Sequence, residues 1–527
     1  MTKRLEKMRF RPKCIPVVDI FAGPGGLGEG FHQFQLGGRA PYDVRLSIEK
    51  DLTARNTLKL RKFFHQFPVV PLEYQAFVRG ELSQDELYGA YPRQAGVAER
   101  QAWQAELGKV ATQLVSTRVR EALGRSRNWV LLGGPPCQAY SVVGRARMQS
   151  TRADFERDER HFLYREYLRI VANHQPAAFV FENVKGLMSS KQGGKKVFAA
   201  ILSDLARPAK ALGIRTHASL TYKLYAVGHA AQAYEFDGSE GSSEIPDFLL
   251  LSEQHGIPQS RHRVVVVGVR SDLATVPPSL ELQSRVDAAQ VLDDLPPIRS
   301  RLSQELDSLD AWRGALQDVT DQRWFHLREH KLFGPTAREV ITVLRTQKTQ
   351  TLHPGTLYQS YSRKPSILAN WYREGANGLA QHEARQHRRD DLQRYLYASC
   401  FVRAHGLSPK LKDFPVELRP EHKNVELAVK GEMFSDRFRV QLPDGPSTTI
   451  TSHISKDGHY FIHYAPEQCR SLTVREAARL QTFPDSYFFC GGRTDQYHQI
   501  GNAVPPLLAR QIAGSVFEVL RGTVGGH

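Results

Sequence analysis

A chain of 527 residues, 41% hydrophobic and 24% charged, has room for two to four domains, or for one large domain carrying an insertion. Its formal charge of +16 and isoelectric point near 9.6 fit a polyanionic partner such as DNA or RNA, a basic surface that binds nothing being the alternative. No stretch reaches the roughly 18 apolar residues of a membrane span, the basic N-terminus lacks the apolar core of a signal peptide, and five scattered cysteines without a Cys-x-x-Cys pair speak against disulfides or a zinc site and for a reducing cytoplasm.

In chain order, residues 1–14 read as a loose basic arm, and Ile15 to Phe21 reads as a buried strand. It runs into Ala22-Gly23-Pro24-Gly25-Gly26-Leu27-Gly28, whose Gly23, Gly25 and Gly28 match Gly-x-Gly-x-x-Gly. That spacing lets a backbone turn tightly and approach a cofactor at a helix N-terminus. A second strand, Val44 to Ile48, ends in Glu49, where a carboxylate can accept both ribose hydroxyls of a nucleoside cofactor. The first fifty residues thus specify a nucleotide-type cofactor, either a dinucleotide or S-adenosylmethionine. Residues 52–127 predict a helical insertion, with one helix near 58–64 and a long one over 99–123 carrying apolar residues at 103, 107, 110, 114 and 119.

The run Trp129 to Leu132 is a short apolar strand stopped by Gly133-Gly134-Pro135-Pro136, with Cys137 just beyond. In open α/β sheets ligands bind past the carboxyl ends of the strands, which makes this thiol a candidate nucleophile. Residues 142–160 predict a loop beside it, and 161–174 a helix. The strand Ala178 to Phe181 leads into Glu182, a second candidate for the same site. After a strand near 220–228 and an exposed loop over 233–247, Gln259, Arg261 and Arg263 alternate on one strand. Two arginines in an apolar strand require anionic or carbonyl partners. Residues 300–465 are rich in Arg and His interleaved with aromatics, the pattern of a nucleic-acid face, with strand signals at 438–440 and 448–451. Thr473 and Glu476 form a capping box for a helix over 474–481. Gln499 to Pro506 opens a last helix with prolines in its first turn, running to about Leu520.

In this order, Asp19 to Gly26, Gly134-Pro135-Pro136-Cys137-Gln138, Glu182-Asn183-Val184, Gln259 to Arg263, Arg475 to Pro484 and Gln499 to Pro506 resemble the motifs of the DNA (cytosine-5) methyltransferases of prokaryotic type. The resemblance implies an α/β fold: a doubly wound, mostly parallel sheet of the S-adenosylmethionine-dependent methyltransferase type, with a second, smaller target-recognition domain. It implies a catalytic and cofactor domain over 1–300, target recognition over 301–465, and a segment 466–527 that returns to the catalytic domain. Cys137 would add to C6 of a flipped-out cytosine, Glu182 would bind N3 and the exocyclic amine, Arg263 would contact O2 and Arg261 would orient the site. Gln138 and Gln259 would lie at the substrate. For S-adenosyl-L-methionine, Phe21 would face the adenine, Gly23 and Gly25 the methionine part, Glu49 the ribose and Asn502 the cofactor tail. No metal is implied, and the family's acidic contact to the adenine amine has no assigned residue. The implied partner is double-stranded DNA met by a monomer in the cytoplasm, with a cognate restriction nuclease or another phage-defence protein as a further one. An RNA cytosine-5 methyltransferase, an NAD-dependent oxidoreductase built on the glycine turn, and a DNA-binding scaffold without catalysis are the competing readings. The recognition sequence is not legible.

Overall fold

The computed structural model describes residues 14–136, 160–192, 195–214, 220–228, 232–234, 247–361, 363–421, 425, 429–430 and 435–524. Strands and helices alternate from the start: β1 (Ile15–Ile20), α1 (Gly26–His32), β2 (Tyr42–Glu49), α2 (Leu52–Phe64), α3 (Leu72–Val78), α4 (Gln84–Ala90), α5 (Pro92–Gln101), β3 (Ala102–Gln104), α6 (Thr112–Leu123) and β4 (Val130–Gly133). They continue through α7 (Arg160–His174), β5 (Ala178–Val184), α8 (Val197–Ala206), β6 (Tyr222–Ala226), β7 (Gln232–Tyr234), β8 (Leu249–Leu251), β9 (Gln259–Ser260) and β10 (His262–Arg270).

The main sheet has the order β3-β2-β1-β4-β5-β10-β6-β7, with β8 paired to β10. The strands from β3 to β5 run parallel, and β10 runs antiparallel to both β5 and β6. β1 and β4 are buried at every position, as a sheet covered on both faces requires. On one face Val18, Ile20, Leu131, Phe179 and Val266 pack against α6, α7 and α8. On the other, Val17, Leu132, Val180 and Val265 meet α1 and the last helix of the chain. This is the doubly wound α/β fold, and its strand order reverses between β1 and β4. Ligands bind at such a reversal, just past the strand ends.

The predicted long helix over 99–123 is two helices separated by a strand. Ala102 to Gln104 leave the helix to pair in parallel with β2, Glu49 opposite Gln104. Gly108, at φ 90°, then makes a turn that a helix cannot contain. The apolar spacing through 103, 107 and 110 was therefore misleading: α6 buries Val115, Val119 and Leu123, while Leu114 stands 48% exposed.

The second half contributes α9 (Leu309–Gln317), α10 (Phe333–Thr349), β11 (Gly355–Gln359), β12 (Leu379–Glu383) and α11 (Arg389–His405). Trp312, Trp324, Val340, Leu396, Phe401 and Phe438 form a separate core there. Of the two strand signals, 438–440 gives only a bridge from Val440 to Ile462, and 448–451 shortens to β13 (Ser447–Thr448), which pairs with β9. The chain closes with α12 (Val474–Leu480), α13 (Arg493–Asn502) and α14 (Pro506–Val524). Thr473 caps α12 as predicted, its hydroxyl accepting from the Glu476 N–H while Glu476 accepts from the Thr473 N–H at 2.7 Å. Among the described residues, no helix is long and apolar enough to cross a membrane.

Candidate active site

Two clusters of side chains flank the reversal between β1 and β4. The first is built around the turn after β1. Phe21, Gly23 and Gly25 all take positive φ, at 54°, 56° and 98°. A phenylalanine there is strained, and the strain is held by what surrounds the turn. The Gly23 N–H donates to Glu49 Oε2 and the Asp51 N–H to Glu49 Oε1, both at 2.8 Å, so one carboxylate pins the turn and the start of α2. Burial raises the pKa of Glu49, and these backbone donors oppose the rise. At Gly25 the φ of 98° strains any other residue, and a Cβ would also stand 2.6 Å from the Leu58 side chain. At Gly23 a Cβ would meet nothing within 4 Å, so that side of the turn is open.

The end of the chain reaches the same turn. The Val504 carbonyl lies 2.1 Å from where a Cβ on Gly26 would stand, two residues after Asn502, whose exposed side chain contacts His498. Gln499 to Asn502 close α13 rather than opening the last helix, and the prolines start α14 as a separate element. Next to β2, the end of β3 brings Glu106 beside the same strand ends: the Ala105 N–H donates to the Glu49 carbonyl at 3.0 Å. Glu106 is half-buried and lies 3.2 Å from Lys109. The sequence reading missed it because it expected helix there.

The second cluster lies at the ends of β4, β5 and β10. Arg263 Nε stands 3.0 Å from Glu182 Oε1, with both side chains mostly buried. A Cβ on Gly134 would be 2.8 Å from Glu182 Oε2, so the chain after β4 passes directly over this carboxylate. Asn183 fixes that passage: its amide donates to the Pro135 carbonyl at 3.0 Å. Asn183 carried no role in the sequence reading. Strand alternation points it away from Glu182, and only the structure reveals what it holds. Cys137, Gln138 and the predicted loop 142–160 up to residue 159 lie outside the described residues, as does most of the loop 233–247; Arg160 already begins α7.

Arg261 and Gln259 do not join Glu182. Arg261 is 2% exposed and donates to the carbonyls of Ile450 (2.8 Å) and Gly501 (3.1 Å). Gln259 is fully buried; its amide donates to the Leu480 carbonyl and to Gln481, and its oxygen accepts from the Ile450 N–H. The three residues were expected on one strand face. However, the pairing breaks at Arg261, between β9 and β10, and this sends Arg261 and Gln259 into the seam between β13 and the C-terminal helices. Burial and then the neighbouring Arg263 charge lower the pKa of Arg261 while the Glu182 charge opposes them, and its hydrogen bonds go to carbonyls rather than to that carboxylate.

The model of the C-5 cytosine-specific DNA methylase family matches residues 120–208 and 247–518. The type II methyltransferase M.Bpa9945I of Bacillus paralicheniformis is 32% identical, over 96% of this chain and 99% of its own. The DNA (cytosine-5-)-methyltransferase M.ApeKI of Aeropyrum pernix is 30% identical, over 74% of this chain and 81% of its own. Among solved structures, a DNA modification methyltransferase encoded within an E. coli prophage superposes with a TM-score of 0.52 at 17% identity, covering 96% of this chain and 99% of that one. That likeness supports the fold.

Proposed function

As this chain belongs to the C-5 cytosine-specific DNA methylase family, we propose that it methylates C5 of a cytosine flipped out of a specific double-stranded DNA sequence, using S-adenosyl-L-methionine. The observation that carries the reading is the Glu182–Arg263 pair lying under the Gly134-Pro135 passage, with Cys137 two residues further along the chain. The net charge of +16 supports a polyanionic substrate, and a base must leave the stack for its C5 and C6 to be reached.

The residues of the first cluster suit the cofactor: an open turn at Gly23, the partly exposed Phe21 ring beside it, and a buried carboxylate at Glu49. Each carboxylate oxygen has two acceptor positions, so Glu49 can hold the turn and still accept from ribose hydroxyls. Gly23 and Gly25 would face the methionine part and Asn502 the tail. We assign the adenine amine to Glu106, the acid at the end of β3. Bound there, the cofactor supplies an electrophilic methyl group.

The protein's task is to make C5 nucleophilic. The Cys137 thiolate adds to C6, and the displaced π electrons make the ring enamine-like. Glu182 binds N3 and the exocyclic amine as charge moves onto the ring, while Arg263 orients Glu182 and donates to O2. C5 takes the methyl group, leaving the cofactor as the thioether S-adenosylhomocysteine; loss of the C5 proton to water then restores the C5–C6 double bond and expels Cys137 as the thiolate. Arg261 and Gln259 act from behind this pocket, locking β9, β13 and α13 in place. Residues 301–465 would read the target sequence, with 466–527 completing the catalytic domain. The protein would act as a monomer in the cytoplasm beside a cognate nuclease or another defence protein.

Bisulfite sequencing of DNA from a methylation-free host expressing the chain tests this, with Cys137→Ala as control. Cytosines protected in one sequence context by the wild type and unprotected with the variant are expected. A well-expressed protein that protects no DNA cytosine would overturn the reading and direct the assay to RNA.

A further inference from the structure

Beneath the glycine turn lies a polar cluster that this chemistry does not use. Asp19 and Ser47 are direct register partners on β1 and β2. Both are buried, and neither the Asp19 carboxylate oxygens nor Ser47 Oγ has a hydrogen-bond partner among the described residues. The Gly28 N–H faces the carboxylate without completing a bond of ordinary geometry. The two side chains line a cavity of about 20 Å³ bordered by residues of α1 and α2 and by Tyr487. That is room for a water molecule, and a polar lining is the condition under which buried water is held.

The other charged groups around the cavity are already engaged. Glu29 of α1 binds Arg61 Nε at 3.0 Å and meets His65 Nε2 at 2.9 Å, and the Arg61 guanidinium holds it ionised. His65 and His32, whose tilted rings lie 3.6 Å apart, are kept neutral by burial, and Glu29 holds Arg61 charged. The Tyr487 hydroxyl donates to the Pro24 carbonyl inside the turn. Lys62 of α2 donates to the Val44 carbonyl at 2.8 Å and keeps two further donors. Burial brings Asp19 up to about 7 and Lys62 down to about 8, so these two groups change charge near neutrality. Glu49, at the turn itself, is the remaining acid with a raised pKa.

We infer that water held between Asp19, Ser47 and Lys62 ties the ionised Asp19 to the glycine turn, making Asp19 a positioning residue for the cofactor. The coupling has a short route, since Asp19 Oδ2 lies 2.9 Å from where a Cβ on Gly28 would stand, and Gly25 and Tyr487 border the same cavity. An ionised Asp19 also favours a ligand that carries an ammonium group. This inference rests on the assignment of the Gly23–Gly25 turn to the cofactor.

Calorimetric titration with S-adenosylhomocysteine from pH 6 to 8.5 tests it, using the wild type, Asp19→Asn and Ser47→Ala, each checked for folding by circular dichroism. The wild type should bind about three- to tenfold more tightly at the upper end. Asp19→Asn, which leaves Glu49 intact, should lose most of that rise, and Ser47→Ala, the milder change if Asp19→Asn misfolds, should lose part of it. A crystal structure of the wild type should place ordered solvent between Asp19 and Ser47. A folded Asp19→Asn or Ser47→Ala protein with the wild-type pH profile, or a dry cavity, overturns the inference alone. A wild type that binds no S-adenosylhomocysteine at any pH overturns the cofactor assignment and the inference with it.

Discussion

Arg263 and Glu182 meet diagonally rather than face to face. Val265 stands opposite Glu182 and Val184 opposite Arg263 in the β5–β10 register, yet Arg263 Nε comes within 3.0 Å of Glu182 Oε1. Only a long side chain spans such a diagonal, and Arg does so with a planar fork that fixes the carboxylate's orientation. Arg263→Ala should lower the single-turnover rate of methyl transfer by about 10²-fold, the size expected for one group that stabilises charge at the reacting ring. Arg263→Lys should recover only a small part, because an ammonium cannot orient the carboxylate in the same way. S-adenosylhomocysteine affinity should be unchanged in both. A wild-type rate in Arg263→Ala would remove the pair from the reaction.

Gly134 tests the same site from the other side. A Cβ there would press to 2.8 Å from Glu182 Oε2, with the Glu182 backbone oxygen 3.4 Å away. Gly134→Ala should cost more than about tenfold in turnover by displacing the carboxylate, while thermal stability falls only modestly. Stopped-time methylation assays and a melting curve on the same preparation separate the two effects.

The seam around α12 predicts an acid-sensitive fold. His382 Nε2 faces the Pro296 carbonyl at 2.9 Å and must donate to it, leaving Nδ1 to accept from Thr473 at 3.0 Å. The ring is therefore neutral, and burial brings its pKa down to about 4, with that of nearby His463 at about 3. Below pH 6.5 the unfolded chain takes up protons that the folded chain refuses, so stability falls with pH between 6.5 and about 4. At pH 5 the effect is up to about 2 kcal/mol per ring. Urea midpoints should drop over this window, and His382→Gln should show a shallower drop than the wild type.

Asp485 carries a buried charge network. It accepts from Arg479 at 2.9 and 2.7 Å and from the Tyr361 hydroxyl at 2.9 Å, and Arg479 also pairs with Asp294. Asp485→Ala leaves part of the buried Arg479 charge unpaired, which should destabilise the protein by about 3–5 kcal/mol. Denaturant unfolding measures this directly. A loss below about 1 kcal/mol would mean that the pair behaves as a surface one.

Helix α12 and strands β1, β4 and β5 were legible because their signals are local. A capping box, a continuous apolar run and a Gly-Pro stop depend on neighbours in sequence. Glu49 was likewise announced by the strand it ends, whereas β5 continues past Glu182 to Val184 because β10 pairs with it there. The strand at 102–104 was not legible, since three residues without a strong pattern become a strand only when β2 offers its edge. Glu106 was lost with it.

The sequence by itself determined the type of fold, the order of its motifs and the family, because strand runs, turn glycines and the spacing of acids and cysteine are written along the chain. The tertiary structure decided which of those residues meet. It separated Arg261 and Gln259, turned toward backbone carbonyls in the seam, from Arg263, which reaches a carboxylate. It also placed Asn183 on the Pro135 carbonyl and left Asp19 buried without a partner among the described residues. Alternation along a strand predicts only a face. Where a side chain finds its partner depends on which strand end, helix or return segment is folded against that face, and residues more than two hundred positions away supply that surface.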